Sequence, residues 1–220
     1  MPNIIRIAID GPAGAGKTTV AKAVAEKLNI DYIDTGAMYR AVALKLLRTG
    51  TDYHDSDALA KLLERTEVDF VQGKTILDGE DISELIRTSE ISALASPSSA
   101  IPAIRHKLTE LQQTMGQRKS IVMDGRDIGT VVFPNAEFKF FLTAGLDVRA
   151  RRRTNEMLER GEKADFETIK ADIMQRDKQD SERKFRPLKK ADDAIEIDSS
   201  DLNVEELVNL ILGIVLKNET

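Results

Sequence analysis

Short apolar runs alternate with longer helical segments along this chain. The apolar runs predict β-strands at residues 4–10, 31–34, 120–124, 138–142 and 194–198, and the other segments predict helices at residues 18–28, about 37–49 and about 204–217. Strands that alternate with helices in this way are typical of a parallel sheet. The pattern therefore predicts an α/β fold, a five-stranded parallel sheet with helices on both faces.

One segment interrupts this alternation. Three short strand-like runs between residues 68 and 82 are joined by Gly73-Lys74 and by Asp78-Gly79. Glycine-containing connections of two residues favour tight turns between antiparallel strands. We therefore expect an inserted antiparallel β subdomain between about residues 64 and 100. Its Ser- and Pro-rich end, residues 96–99, is predicted to be a hinge or a surface loop.

The composition narrows the class of protein. The 220 residues include no cysteine and carry a formal net charge of −5. This length fits one domain with insertions or two small domains. Without cysteine there are no disulfides, thiolate nucleophiles or Cys-based zinc sites, which suits a reducing compartment. The negative charge argues against a general nucleic-acid binder. A cytoplasmic location and a monomeric state are the default expectations.

No segment predicts a signal peptide or a membrane anchor. The apolar run at residues 4–9 is short and contains Arg6, unlike a signal peptide. Residues 207–216 contain Asn209 and fall short of the roughly 20 residues that a membrane helix needs. We therefore expect no membrane association.

The most specific motif lies at residues 11–18, Gly-Pro-Ala-Gly-Ala-Gly-Lys-Thr, directly after the first predicted strand. It fits G-x-x-x-x-G-K-[ST], in which a loop and a helix N-terminus aim backbone N–H groups at phosphate. Lys17 is then expected to reach the β- and γ-phosphates, and the Thr18 hydroxyl to bind Mg²⁺. A turn that binds nothing is the alternative, but the order strand, loop, helix disfavours it. A dinucleotide-binding motif does not fit, because Thr19 stands in place of the third glycine.

Two further motifs follow predicted strands. Residues 34–40, Asp-Thr-Gly-Ala-Met-Tyr-Arg, offer the Thr35 hydroxyl and Arg40, and residues 124–127, Asp-Gly-Arg-Asp, offer a second arginine. Both lie at the carboxyl ends of strands, where open α/β sheets place their ligands. For the first motif alone, a helix cap followed by a solvated arginine is a serious alternative. Two arginines and a phosphate loop together suggest two anionic ligands.

Taken together, the motifs resemble one family. The phosphate loop, residues 34–40, residues 124–134 and residues 176–188, the last running from Arg176-Asp177 through Arg183 to Pro187-Leu188, resemble bacterial cytidylate kinases, which are nucleoside monophosphate kinases. The resemblance covers essentially the whole chain and keeps the order of the motifs. That family also carries an enlarged monophosphate-binding insert of short antiparallel strands.

The resemblance implies a division into three parts. A P-loop core would comprise residues 1–34, 101–149 and 171–220. A monophosphate-binding region would comprise residues 35–100, with the antiparallel insert at about 64–100. A short helical lid would comprise residues 150–170.

The resemblance also implies the residues of two nucleotide sites. ATP would be held by Gly11, Pro12, Ala13, Gly14, Ala15, Gly16, Lys17, Thr18, Thr19 and Arg149. CMP or dCMP would be held by Thr35, Arg40, Ser96, Arg105, Arg126, Asp127, Arg176, Asp180 and Arg183. The catalytic residues would be Lys17, Arg40, Arg126, Arg153 and Arg183.

Within the CMP set, the implied roles differ. Arg40, Arg126 and Arg183 would clamp the α-phosphate, Ser96, Arg105 and Asp127 would read the cytosine, and Arg176 and Asp180 would contact sugar or phosphate. Cytosine shows an N4 amino donor beside the N3 and O2 acceptors, so a carboxylate and an arginine complement it, whereas uracil reverses the pattern at positions 3 and 4. From the residues alone, an exposed helix position is the favoured interpretation of Arg105.

An arginine-rich run at residues 147–153 predicts a helix start after the strand at 138–142. Arg149 and Arg153 stand four residues apart and so face one way. In isolation such a cluster is most often a solvated, salt-bridged face and less often an RNA-binding patch. The resemblance implies instead that a lid closes on ATP here, with Arg149 stacking on adenine and Arg153 contacting phosphate.

The implied reaction is direct transfer of the γ-phosphate of ATP to CMP or dCMP, with Mg²⁺ as cofactor. Asp34 and Asp124 would hold magnesium waters beside Thr18. A strand-end cap is the alternative for both residues, and it explains Asp34 equally well. One rival function is a P-loop kinase for uridylate, adenylate or a hydroxylated metabolite, which the base-reading residues disfavour. Another is a nucleotide switch, a GTPase or a nucleic-acid-linked ATPase, but the guanine-reading motif Asn-Lys-x-Asp is absent.

Overall fold

A computed structural model describes residues 4–217 of the chain. In chain order its elements are β1 (Arg6–Asp10), α1 (Lys17–Leu28), β2 (Asp31–Asp34), α2 (Thr35–Thr49), α3 (Ser56–Glu64), β3 (Val68–Val71), β4 (Lys74–Leu77), β5 (Glu80–Asp81), α4 (Ser89–Ser98), α5 (Pro102–Arg118), β6 (Ile121–Gly125), β7 (Phe138–Thr143), α6 (Leu146–Glu159), α7 (Phe166–Glu182), β8 (Ile195–Asp198) and α8 (Val204–Lys217). They form two compact units. The first unit contains the described residues up to Tyr32 and from Lys119 onward, and the second unit is Ile33–Arg118.

The first unit is built on a sheet of five strands in the order β2-β6-β1-β7-β8, and the chain passes to the second unit within β2. Strand β1 pairs in parallel with both β6 and β7, and β7 pairs in parallel with β8. The predicted five-stranded α/β fold is therefore confirmed. Because β1 and β6 are neighbours, the segments that follow them emerge at the same edge of the sheet.

Two helices supply much of the core of the first unit. Val20 and Val24 of α1 and Leu207 and Ile211 of α8 are buried in one apolar cluster with Phe140 and other strand residues. In each helix these residues are four apart, so they share the face turned to the core. The apolar run near the C-terminus is thus a packed helix, as predicted. Within residues 4–217, no helix is both long and apolar enough to cross a bilayer.

The turn after β1 requires glycine. Gly11 has φ +148°, and a Cβ atom on it would lie 1.9 Å from the carbonyl oxygen of Leu142 in β7. No side chain fits in that space, and the backbone angle is one that other residues rarely adopt. The phosphate loop therefore begins directly against the neighbouring strand.

The second unit contains the predicted antiparallel insert. Strands β3, β4 and β5 form a three-stranded sheet in which β3 pairs antiparallel with β4 and β4 with β5. Gly73 and Gly79, with φ +77° and +88°, stand in the two connecting turns. Val68, Leu77 and Ile82 are buried. The strands expected from the glycine-containing turns are confirmed.

The prediction of a hinge or surface loop at residues 96–99 was wrong, because helix α4 continues to Ser98. The Thr88 side chain caps the start of this helix by accepting from the backbone N–H of Ile91. Pro97 lies in the last turn, where the missing N–H removes one helical hydrogen bond without interrupting a longer helix. The Ser98 hydroxyl donates to the carbonyl of Leu94 at 2.7 Å and ties the last turn together.

Candidate active site

The phosphate loop, residues 11–18, connects β1 to α1 in the predicted order. Helix α1 begins at Lys17, preceded by Gly16 in the left-handed conformation with φ +83°. The Lys17 side chain is buried, and its Nζ donates to the carbonyl oxygen of Pro12 at 2.6 Å. The ammonium group therefore folds back over the loop, where the N–H groups of the helix start also gather.

Lys17 lies among charged side chains of both signs. Burial lowers the pKa of Lys17 well below its ordinary value, and the charges of Arg126 and Arg176 lower the pKa further, against the opposing effect of Asp124 and Asp10. A buried ammonium group surrounded by guanidinium groups is stabilised by any anion that enters. This electrostatic environment is suited to a polyphosphate.

Asp124 is the next-to-last residue of β6 and lies beside the phosphate loop. Its carboxylate is 5 % exposed and accepts from the Thr18 hydroxyl at 3.0 Å and from the Tyr32 hydroxyl at 2.7 Å. A threonine hydroxyl paired with a carboxylate supplies the hard oxygen ligands that Mg²⁺ prefers. Thr18 and Asp124 therefore fit the magnesium role expected for them.

A second group of charges surrounds Asp180 in α7. Arg126 Nε donates to Asp180 Oδ2 at 2.7 Å, and Arg183 lies 3.4 Å from Oδ1. Burial acts to raise the pKa of Asp180, but the charge and hydrogen bond of Arg126, with the charges of Arg176 and Arg183, hold it below its ordinary value. The structure thus brings together four residues predicted for the monophosphate.

Asp127 is next to Arg126 in the sequence and is only 4 % exposed. It precedes a short π-helix at Ile128–Val132, whose first N–H groups are held by the carboxylate of Asp10. Asp10 Oδ1 accepts from Ile128 N at 2.9 Å and Oδ2 from Gly129 N at 2.8 Å. The backbone beside Asp127 is therefore anchored to the end of β1.

The second unit contains the other predicted monophosphate residues. Asp34 caps α2 by accepting from Ala37 N at 2.9 Å, and it pairs with Arg40 at 3.0 Å. The cap interpretation of Asp34 is confirmed, and its role near magnesium stays a prediction. Thr35 is buried and Ser96 is half-buried.

Arg105 is not the exposed helix residue that its local sequence favours. It is 2 % exposed, its NH1 donates to the Ser99 carbonyl at 3.1 Å, and its guanidinium lies 5.3 Å from the centre of the Tyr39 ring. A buried arginine is costly unless it is paired, so its position is specified by the fold.

The arginine-rich run lies in α6, and its members have different surroundings. Arg149 is buried and is held by backbone carbonyls and Asp177. Arg152 donates to Ser199, while Arg153 is half-exposed and pairs with Glu156 at 2.8 Å. The solvated-face interpretation is therefore wrong for Arg149 and Arg152. The predicted contacts of Arg149 and Arg153 with ATP stay predictions.

Comparison with known proteins shows which family this chain belongs to. A family model described as "Cytidylate kinase" matches residues 7–217. The chain belongs to the cytidylate kinase family. Among its relatives is a cytidylate kinase from Carboxydothermus hydrogenoformans, 46 % identical over 215 residues that cover 96 % of this chain and 97 % of that protein. Another, from Bacillus subtilis, is 46 % identical over 219 residues, covering 98 % of each.

Solved structures extend the likeness in fold beyond the cytidylate kinase family. A shikimate kinase from Bacteroides thetaiotaomicron has a TM-score of 0.51 at 15 % identity, covering 97 % of this chain and 99 % of that one. An uncharacterised protein from Eubacterium ventriosum has a TM-score of 0.54 at 17 % identity, covering 98 % and 99 %. At such identities the likeness concerns the fold alone.

The sequence did not indicate that three residues contact the phosphate loop or the segments beside it. They are Asp10, Arg152 and Asp177. A signal for Asp10 was available, because it ends β1 directly before the phosphate loop, and Asp124 lies similarly near the end of β6. Asp177 is adjacent to Arg176, and its role depends on Ala13, which is 164 positions away. No local pattern indicates such a contact.

The buried carboxylate of Asp10 should make stability depend on pH. Burial, opposed by the two backbone N–H groups, raises the pKa of Asp10 from 3.8 to about 6. The folded state then binds more protons than the unfolded state between these values, so the free energy of unfolding falls as pH rises through about 4 to 6. The difference between these two pKa values corresponds to roughly 3 kcal/mol in the free energy of unfolding.

Asp10→Asn removes this titration. In chemical denaturation at pH 4, 5, 6 and 7, the wild-type protein should lose stability relative to Asp10→Asn as pH rises, by up to roughly 3 kcal/mol. Ionisable groups that do not interact with Asp10 are common to both proteins and cancel in the difference. Parallel pH profiles for the two proteins would contradict the raised pKa.

Proposed function

We propose that this chain transfers the γ-phosphate of ATP to CMP or dCMP, giving ADP and CDP or dCDP. Membership of the cytidylate kinase family and two adjacent groups of anion-binding residues support this proposal. The observation that carries it is the placement of Arg126, which lies close enough to buried Lys17 to lower its pKa and is held at 2.7 Å by Asp180. A site for one polyphosphate needs the lysine and the loop, whereas the added arginine suits a second phosphate beside the first.

In this proposal each charged group has a defined task. Lys17 neutralises charge on the transferred phosphoryl group, and Arg126 and Arg183 hold the acceptor phosphate in line with it. Arg40 assists them, and Arg153 neutralises charge on ATP. The acceptor is a phosphate oxygen that is largely ionised at neutral pH, so a strong general base is unnecessary. Catalysis then depends on positioning and charge rather than on a covalent intermediate.

The magnesium ion is part of the proposal. When bound with ATP, it would neutralise phosphate charge and orient the β- and γ-phosphates. Thr18 would contribute its hydroxyl, and Asp124 would hold metal-bound water, since both oxygens lie at the carboxyl end of β6. Asp34 is a further candidate for water-mediated contact. A monomeric state and a cytoplasmic location also belong to the proposal, and the absence of cysteine suits that location.

The base-reading residues define the specificity that we propose. Ser96, Arg105 and Asp127 would read cytosine, while Arg176 and Asp180 would contact the sugar or phosphate. Arg105 and Asp127 are both buried, and buried polar groups discriminate strongly when a substrate leaves them unpaired. Uridylate would place its O4 opposite a carboxylate and should be a poor substrate.

A coupled assay of ADP release with Mg·ATP and a panel of monophosphates tests the proposal. We expect CMP and dCMP to be phosphorylated, and kcat/KM for UMP to be lower by about tenfold to a hundredfold, as for one mismatched buried polar contact. AMP and a reaction without acceptor give the matched controls. Equal activity with UMP or AMP would favour another monophosphate kinase, and ATP hydrolysis that needs no acceptor would favour a nucleotide switch.

A further inference from the structure

The phosphate loop is held from its outer side by a pair of charged residues. Asp177 Oδ1, in α7, accepts from the backbone N–H of Ala13 at 3.2 Å. Its other oxygen, Oδ2, lies 2.5 Å from Arg149 NH1 in α6. The same NH1 donates to the carbonyl oxygen of Ala13 at 2.9 Å. The backbone N–H and the carbonyl oxygen of Ala13 are therefore both held by the Asp177–Arg149 ion pair.

The surroundings of Arg149 leave it little freedom. Its side chain is 9 % exposed, and its Nε donates to the Ala144 carbonyl at 2.9 Å. Gly14 packs so closely on α6 that a Cβ on it would lie 3.1 Å from the Cβ of Arg149. The guanidinium group is thus committed to the loop and to α7, and Gly14 is the residue type that permits this approach.

A second tie lies one helical turn further along α6. Arg152 donates to both the hydroxyl and the carbonyl of Ser199, and the Ser199 hydroxyl donates to the Ala15 carbonyl at 3.3 Å. Ser199 is completely buried. Residues 149 and 152 are three positions apart and so lie on one face of α6. That face supports the loop at alternate residues, Ala13 and Ala15.

We infer that Asp177 and Arg149 are positioning residues that fix the phosphate loop in its binding geometry. The inference rests on the proposed function, because it takes the loop to bind the phosphates of ATP. Backbone N–H groups bind phosphate well only if they already converge, and small displacements of binding groups weaken affinity strongly. The ion pair holds Ala13 so that the residues after it present their N–H groups together.

This role differs from stacking on adenine. A residue that contacts the base affects only ligands that carry a base. A residue that shapes the loop affects every ligand with a polyphosphate chain. Inorganic tripolyphosphate and the non-hydrolysable ATP analogue AMP-PNP, each with Mg²⁺, therefore distinguish the two roles without requiring any acceptor nucleotide.

The test measures the dissociation constants of both probes by calorimetry for the wild type, Asp177→Asn and Arg149→Lys. We expect each variant to raise the dissociation constants of both probes by about tenfold. This is the loss typical when a residue that orients a ligand-binding group is replaced. The double variant should bind no more than twofold worse than the weaker single variant, because both changes break one arrangement. Arg149→Lys keeps the charge, and it serves alone if Asp177→Asn does not fold.

Asp147→Asn is the matched control. Asp147 pairs with Lys170 at 2.6 Å and also joins α6 to α7, but it is exposed and does not touch the loop. It should leave both affinities within twofold. Weakened AMP-PNP with unchanged tripolyphosphate would overturn the inference in favour of adenine contact, and a lower melting temperature with unchanged affinities would overturn it in favour of a structural role. A chain that binds both probes but does not phosphorylate CMP would refute the proposed function and leave this inference intact.

Discussion

Replacing Lys17 by alanine should lower kcat by at least about a hundredfold, the loss typical of one electrostatic contact to charge that develops in a closed site. The ammonium group is buried, with positive neighbours that lower its pKa. Burial makes the charged form of Lys17 unfavourable, so replacing the side chain should cost little stability. The measurement is kcat with saturating Mg·ATP and CMP, together with the melting temperature of each protein.

Two further variants separate charge from shape. Lys17→Met retains the length of the side chain without the charge, and it should lose as much activity as the alanine variant. Lys27→Ala removes an exposed lysine at the other end of α1 and should leave kcat within twofold. A folded Lys17→Met protein with nearly normal kcat would show that the charge on Lys17 does not act in the reaction.

Asp127→Asn should narrow the preference for CMP over UMP by on the order of 1 to 3 kcal/mol, as for one misplaced buried polar contact. A carboxylate only accepts hydrogen bonds, which suits the N4 amino group of cytosine. An amide can donate to O4 of uracil and still accept in part from cytosine. Because Asp127 is 4 % exposed, water cannot readily compensate for the mismatch. The measurement is kcat/KM for both monophosphates at saturating ATP.

Arg40→Ala is the control for this specificity change. Arg40 is proposed to contact the phosphate, which CMP and UMP share, so this variant should reduce kcat/KM for both substrates by a similar factor. If Asp127→Asn left the CMP/UMP ratio unchanged while Arg40→Ala altered it, the proposed roles of the two residues would be wrong.

The strands and helices of the first unit could be predicted because their signals are local. The apolar runs and the glycine-rich loop fixed the ends of β1, β2, β6, β7 and β8 to within two residues. The order of the strands in the sheet could not be predicted in this way, since β1 pairs with strands more than a hundred residues away. Residues 96–99 misled for the opposite reason. Serine and proline favour turns locally, but α4 continues to Ser98, whose hydroxyl donates to the Leu94 carbonyl.

For the candidate site too, residues with a local sequence signal could be predicted, and contacts between distant residues could not. Motifs indicated Lys17, Arg126 and Asp127 because each follows a strand at the ligand-binding edge. The burial of Arg105 and the partners of Arg149 could not be seen, because they depend on contacts that only folding creates. An arginine in a helix looks the same in sequence whether it faces water or holds a loop. The distinction requires knowledge of the side chains that surround it.

At the proposed monophosphate site, the carboxylate of Asp180 would also affect the entropy of ligand binding. Each free arginine side chain carries roughly 2 kcal/mol of rotamer entropy, which is normally lost when it grips an anion. Arg126 and Arg183 are already restrained by Asp180 before any ligand arrives. The entropy of ordering these two side chains is therefore lost on folding. If Arg126 and Arg183 bind the monophosphate as proposed, little further side-chain entropy would be lost on binding.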